Sequence, residues 1–119
     1  MGVDSSIFAK DSKKSYYFDR DHNFRVFDLE WEDKRYADIK SKLDRHVPVT
    51  SDEVIYMAEK NIVYWEHQEG QEYRANWNRS IIKFAKEYFN DNFMVYTDHE
   101  SPDHHDISKV GGYTEWEDN

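Results

Sequence analysis

The chain has 119 residues, with 25 acidic against 16 basic side chains, a net charge of −9 and no cysteine. These figures exclude disulfides, thiolate metal centres and a cysteine nucleophile. They also point to one domain whose field repels phosphate backbones, so direct nucleic-acid binding is not expected. The high charged fraction of 34% leans toward disorder, but the aromatic fraction of 17% opposes it. Each aromatic ring buries about 150–250 Å², so a thin core can be built from few residues. The first residues carry neither the basic nor the apolar region of a signal peptide. No apolar run nears the roughly 18 residues of a membrane span. A cytoplasmic protein without membrane association is the expectation.

In chain order, residues 2–9 and 15–19 are β-branched and aromatic around the polar cluster Asp11-Ser12-Lys13-Lys14. That pattern predicts a β-hairpin. From Phe24, residues Phe27, Leu29 and Trp31 alternate with Asp28 and Glu30, which predicts a third strand. Residues 32–45 change period, with Tyr36, Ile39 and Leu43 at helical spacing and opposite charges at Lys34–Asp38 and Asp38–Lys42. Val47-Pro48-Val49 is expected to end that helix.

The clearest signal runs from Val49 to Tyr96. Thr50 and Glu53 have the spacing of a capping box, and Asp52 and Glu53 suit the positive end of a helix dipole. Ile55, Ala58, Ile62 and Trp65 form the expected buried stripe, flanked by Val54 and Met57. Gly70 reads as a helix C-cap before a new start. Tyr73, Trp77, Ile81, Phe84, Ala85 and Tyr88 form a second stripe, so residues 51–89 are expected to be a helical hairpin. One uninterrupted helix there would span about 58 Å, too long for a compact domain. Phe93–Tyr96 is a further strand. Residues 110–116, which include the pair Gly111-Gly112, are an edge strand or ordered tail.

The expected fold is therefore α+β: a small antiparallel sheet, made of the N-terminal hairpin, a third strand and a C-terminal strand, packed on three helices. Residues 1–97 form the compact domain and 98–119 an acidic loop and tail.

Chemistry is concentrated late in the chain. Residues 91–119 hold eight acidic residues and one basic residue, a net charge of −7. Within them, Asp98, Glu100, Asp103 and Asp106 alternate with His99, His104 and His105. Imidazole and carboxylate are ligands for Zn or Mn, and His99, His104, His105, Asp103 and Asp106 are the candidate metal set. The spacing matches no His-Glu-x-x-His or EF-hand pattern, so a solvated acidic loop without a cofactor is the competing account. The chain also lacks nucleophile-elbow and phosphate-loop motifs, which argues against an enzyme. Trp116 among Glu115, Glu117 and Asp118 has the form of an aromatic anchor with a steering charge. Glu66, Glu69 and Glu72 add acidity around Gly70.

The overall type, a short, cysteine-free, acidic, aromatic-rich domain without catalytic signatures, resembles small phage or mobile-element accessory proteins. That likeness is one of general type and assigns no residues; the net charge of −7 over residues 91–119 and the lack of catalytic motifs are what point to a non-enzymatic binding protein. It would modulate or inhibit a basic, nucleic-acid-handling partner, with nucleic-acid mimicry by rows of carboxylates as one form. Its partner-binding residues would be Asp98, Glu100, Asp103, Asp106, Glu115, Trp116, Glu117, Asp118, Glu66, Glu69 and Glu72. A metal-binding protein or metal-dependent hydrolase using residues 98–106, and a structural subunit of a larger assembly, are the alternatives.

Overall fold

A computed structural model of the chain describes the backbone of residues 3–21, 33–97 and 114–116 and the side chains of residues 6–16, 33–95 and 116. Strands β1 (Val3–Ala9) and β2 (Lys14–Asp21) form the expected antiparallel hairpin, with a register shift between Asp4 and Ser6. The turn closes without glycine because Lys13 takes a left-handed φ of 57°. Its loop is tied across the molecule. Ser12 donates its backbone N–H to Asp91 at 2.9 Å, and the Asn92 N–H donates to Asp11 at 3.1 Å.

Helix α1 (Lys34–Asp44) starts at Asp33, whose carboxylate accepts the Tyr36 N–H at 3.1 Å. It stops before Pro48 comes into play. The His46 N–H returns to the Leu43 carbonyl and the Val47 N–H to the Lys42 carbonyl, with His46 at φ 57°. This is the paired C-terminal closure that glycine usually provides. A two-residue strand, β3 (Val49–Thr50), leads directly into α2 (Ser51–Trp65). The expected capping box is present: Thr50 accepts from the Glu53 N–H at 3.2 Å, and the Glu53 carboxylate accepts the Thr50 N–H at 2.9 Å. Helix α3 (Glu72–Glu87) completes the hairpin, and β4 (Asn92–Thr97) follows.

The sheet order is β3-β4-β1-β2-β5, where β5 is Thr114–Glu115. Neighbours are antiparallel except β2 and β5, which are parallel. The strand expected at Phe24–Trp31 lies outside the described residues. Central β1 is flanked on both sides. Ile7 and Ala9 face the helices, while Phe8, pointing to the opposite face, is also buried. The core joins Ile7, Ala9, Tyr16, Val49, Phe93 and Val95 of the sheet to Tyr36, Ile39, Leu43, Val54, Met57, Ala58, Ile81, Phe84 and Ala85 of the helices.

In α3 the buried row is Arg74, Ala75, Asn78, Ile81, Phe84 and Ala85, whereas the expected Tyr73 is exposed and Trp77 and Tyr88 are only partly covered; two further sequence expectations need correction. The buried row of α2 is Val54, Met57, Ala58, Asn61 and Trp65, with Ile55 and Ile62 only partly covered. The helix is rotated toward α3 by one row because Asn61 has partners inside. Tyr36 Oη donates to Asn61 Oδ1 at 2.6 Å, Asn61 Nδ2 to Asn78 Oδ1 at 3.1 Å, and Asn78 Nδ2 to the Arg74 carbonyl at 2.8 Å. This polar thread crosses all three helices, and satisfied partners are what make its burial tolerable. Secondly, Gly70 is not the C-cap of α2. The cap is Glu66, and Gly70, at φ +78°, shapes the connection that follows.

Candidate docking surface

The tip of the α2–α3 hairpin gathers chemistry that packing alone leaves over. Its connection is a chain of tight turns: the Gln68 N–H donates to the Trp65 carbonyl at 3.1 Å, Gln71 to Gln68 at 3.0 Å, and Arg74 to Gln71 at 3.0 Å. These turns bring the end of α2 against the start of α3. Arg74, only 7% exposed, lays its guanidinium over the Trp65 ring at 4.6 Å and beside the Tyr73 ring at 5.4 Å. Tyr64 meets Trp65 edge-on at 4.8 Å, and Tyr73 meets Trp77 edge-on at 5.0 Å. The result is a continuous stack, Tyr64–Trp65–Arg74–Tyr73–Trp77. Its aromatic geometry is the favourable edge-to-face one, and its cation is desolvated against ring faces.

The stack is not closed. Tyr64 remains 39% exposed and Tyr73 43% exposed. Buried polar atoms at this tip include Trp65 Nε1 and Gln71 Oε1, which have no hydrogen-bond partner among the described residues. Around it stand Glu66, Glu69 and Glu72, all exposed. Glu66 is partly neutralised, accepting from Arg79 at 3.2 Å, with His67 Nε2 at 3.8 Å. Residues 51–72 carry six acidic side chains and one basic, a net charge of −5. The carboxylates of α2 do not form a close row. Exposed Asp52, Glu59 and Glu66 recur every seven residues, about 10.5 Å apart along the axis, and Glu53 is held by Lys42 at 3.0 Å.

A second charged surface has the opposite sign. Lys34, Arg35, Lys42 and Arg45 line an open groove of about 670 Å³ with Asp38 and Glu53. Much of its charge is answered locally, because Lys34 pairs with Asp38 at 2.8 Å and Lys42 with Glu53. Arg35 stacks on the Tyr56 ring at 4.2 Å. Tyr56 donates a hydrogen bond to Asp33, which also pairs with Lys60 at 3.3 Å. The Tyr56 hydroxyl, then the Tyr36 N–H, and then Lys60 hold the Asp33 carboxyl down at about 2, against the opposing effect of burial.

Of the residues expected to bind a partner, Glu66, Glu69 and Glu72 come together at the hairpin tip. Trp116 is placed elsewhere, with its ring partly buried against Tyr16 and Phe84. Asp98, His99, Glu100, Asp103, His104, His105, Asp106, Glu117 and Asp118 lie outside the described residues, as does the side chain of Glu115. Among the described residues, no three His, Asp or Glu side chains converge to hold a metal, and no helix is long and apolar enough to cross a membrane. The aromatic half of the tip is not legible in sequence, because Tyr73 reads there as a buried-stripe position and Tyr64 and Arg74 belong to neither stripe. Compared with family models, with curated proteins and with solved structures, the chain matches none.

Proposed function

We propose that this chain is a non-enzymatic docking protein that engages the basic surface of a protein partner through the α2–α3 tip. The observation that carries this reading is the open aromatic stack at the tip, set among Glu66, Glu69 and Glu72. Rigid tyrosines offer large contact area at low entropic cost. Arg74 holds the stack in place before any partner arrives, which lowers the ordering penalty of association. The surrounding carboxylates repel acidic partners and steer basic ones.

Basic faces of this kind occur on proteins that handle nucleic acids, and a modulator or inhibitor of such a protein is the finer form of the proposal. The test is capture from the native host with the wild-type chain, Tyr73→Ala and Glu69→Lys/Glu72→Lys. The expected result is a basic partner that both variants lose, that added duplex DNA displaces, and whose affinity drops as salt screens the charges. A captured set that is not basic, or that survives both substitutions unchanged, overturns the proposal.

A further inference from the structure

The segment Thr114–Trp116 is attached to the fold in an unusual way. It adds to the edge of the sheet as a parallel strand of two residue pairs, Lys14 with Thr114 and Ser15 with Glu115. Two pairs are too few to hold a strand by themselves. Trp116 supplies the rest. Its backbone N–H donates to the Ser15 carbonyl at 2.6 Å. Its indole Nε1–H donates to Glu87 Oε2, also at 2.6 Å. The ring stands edge-on to Tyr16 at 5.5 Å and against Phe84 at 5.3 Å, and Lys83 Nζ lies 5.9 Å from its centre.

These contacts comprise the parts of a peptide-recognition site. Main-chain pairing along an edge strand gives direction, and a pocket for one side chain gives specificity. Here the pocket reads tryptophan in three ways. Two aromatic walls take the ring, the Glu87 carboxylate takes the indole N–H, and a lysine meets the π face. A phenylalanine would forgo the Glu87 bond, and an aliphatic side chain would also forgo the cation. The core beneath is complete without the segment: Tyr16 and Phe84 are already packed on each other at 6.2 Å, and Phe84 on Phe93 at 6.0 Å. The segment therefore covers the core without holding it together.

We infer that the cleft formed by the start of β2 and the last turns of α3 is a binding site for an extended, tryptophan-anchored peptide strand, and that Thr114–Trp116 is its built-in, displaceable occupant. Tethering keeps that occupant at a high effective concentration. A competing strand must exceed this, or the tail must first let go.

The full-length Trp116→Ala chain, whose own tail has lost its anchor, tests this with a synthetic peptide of residues 112–119 added in trans. Saturable binding, followed by isothermal titration calorimetry, is expected. It should be at least tenfold weaker for the peptide carrying Ala at position 116. It should also be about tenfold weaker when Glu87→Ala is combined with Trp116→Ala, the loss of one charge-assisted hydrogen bond. A folded Trp116→Ala chain that takes up no peptide overturns the proposal.

If that variant fails to fold, hydrogen exchange of the wild-type chain decides. The Trp116 backbone and indole N–H groups should exchange through an opening that leaves the Ile7–Val95 region of the sheet protected. Exchange of Trp116 only together with that region overturns the proposal.

Discussion

Asn78 and Asp33 show how single side chains set the terms on which the helices meet. Asn78 has no exposed surface, yet it accepts from Asn61 and donates to the Arg74 carbonyl. Asn78→Ala removes both bonds at a site water does not reach, so we expect a loss of about 2–3 kcal/mol, measured by urea denaturation. Asp33 carries a different kind of stabilisation. Its ordinary value of 3.8 falls to about 2 in the fold, chiefly because the Tyr56 hydroxyl donates to it. The folded chain therefore prefers the ionised carboxylate. That preference is fully present above pH 3.8 and is lost as the pH falls through about 2. Asp33→Asn should flatten the acid limb of the stability curve between those two values relative to wild type. An unchanged acid limb would mean that the Tyr56–Asp33 contact does not favour the ionised form.

At the scale of elements, the β1–β2 hairpin closes through a residue that suits its turn poorly. Lys13 sits at φ 57°, where a Cβ crowds the backbone. Lys13→Gly should raise the stability by about 0.5–1 kcal/mol, the relief of left-handed strain less the added freedom of the unfolded glycine. A shifted denaturation midpoint at constant slope checks it. The hairpin, α1, the capping box, the α2–α3 pair and β4 were all legible from sequence, because each is written in local periodicity or a local cap. The rotation of α2 was not. The rows 54/58/61/65 and 55/58/62/65 both step by three and four residues, as one face of a helix does, and apolar lettering favours the second because it counts Asn61 as polar. Only Tyr36 and Asn78, distant in sequence, make Asn61 a core residue. Strand β3 has two residues and so no period to read. The docking of Trp116 on Ser15 and Glu87 is non-local. The acids of the hairpin tip could be counted in advance, whereas the stack that holds Tyr73 beside them depends on Arg74 crossing from α3 to Trp65.

Over the molecule as a whole, charge is separated. Residues 34–45 hold five basic and two acidic side chains, net +3, while residues 51–72 are net −5. This separation bears on the order of events in docking. Exposed rim charges act at long range and mainly set the encounter rate, whereas a desolvated aromatic contact forms late and mainly sets the lifetime. Glu69→Lys/Glu72→Lys changes the net charge from −9 to −5, since each substitution adds two. With the proposed basic partner, that variant should associate about tenfold more slowly at low salt and dissociate at nearly the wild-type rate. The deficit should shrink as added salt shortens the Debye length to about 8 Å or less. Tyr73→Ala leaves the field intact and should do the reverse, with near-normal association and dissociation faster by about tenfold or more. Surface plasmon resonance at two ionic strengths separates the two. If both variants altered only dissociation, the carboxylates would be direct contacts and would have no steering role. If both altered only association, the tyrosine would lie outside the final interface, and the open stack at the hairpin tip would need another explanation.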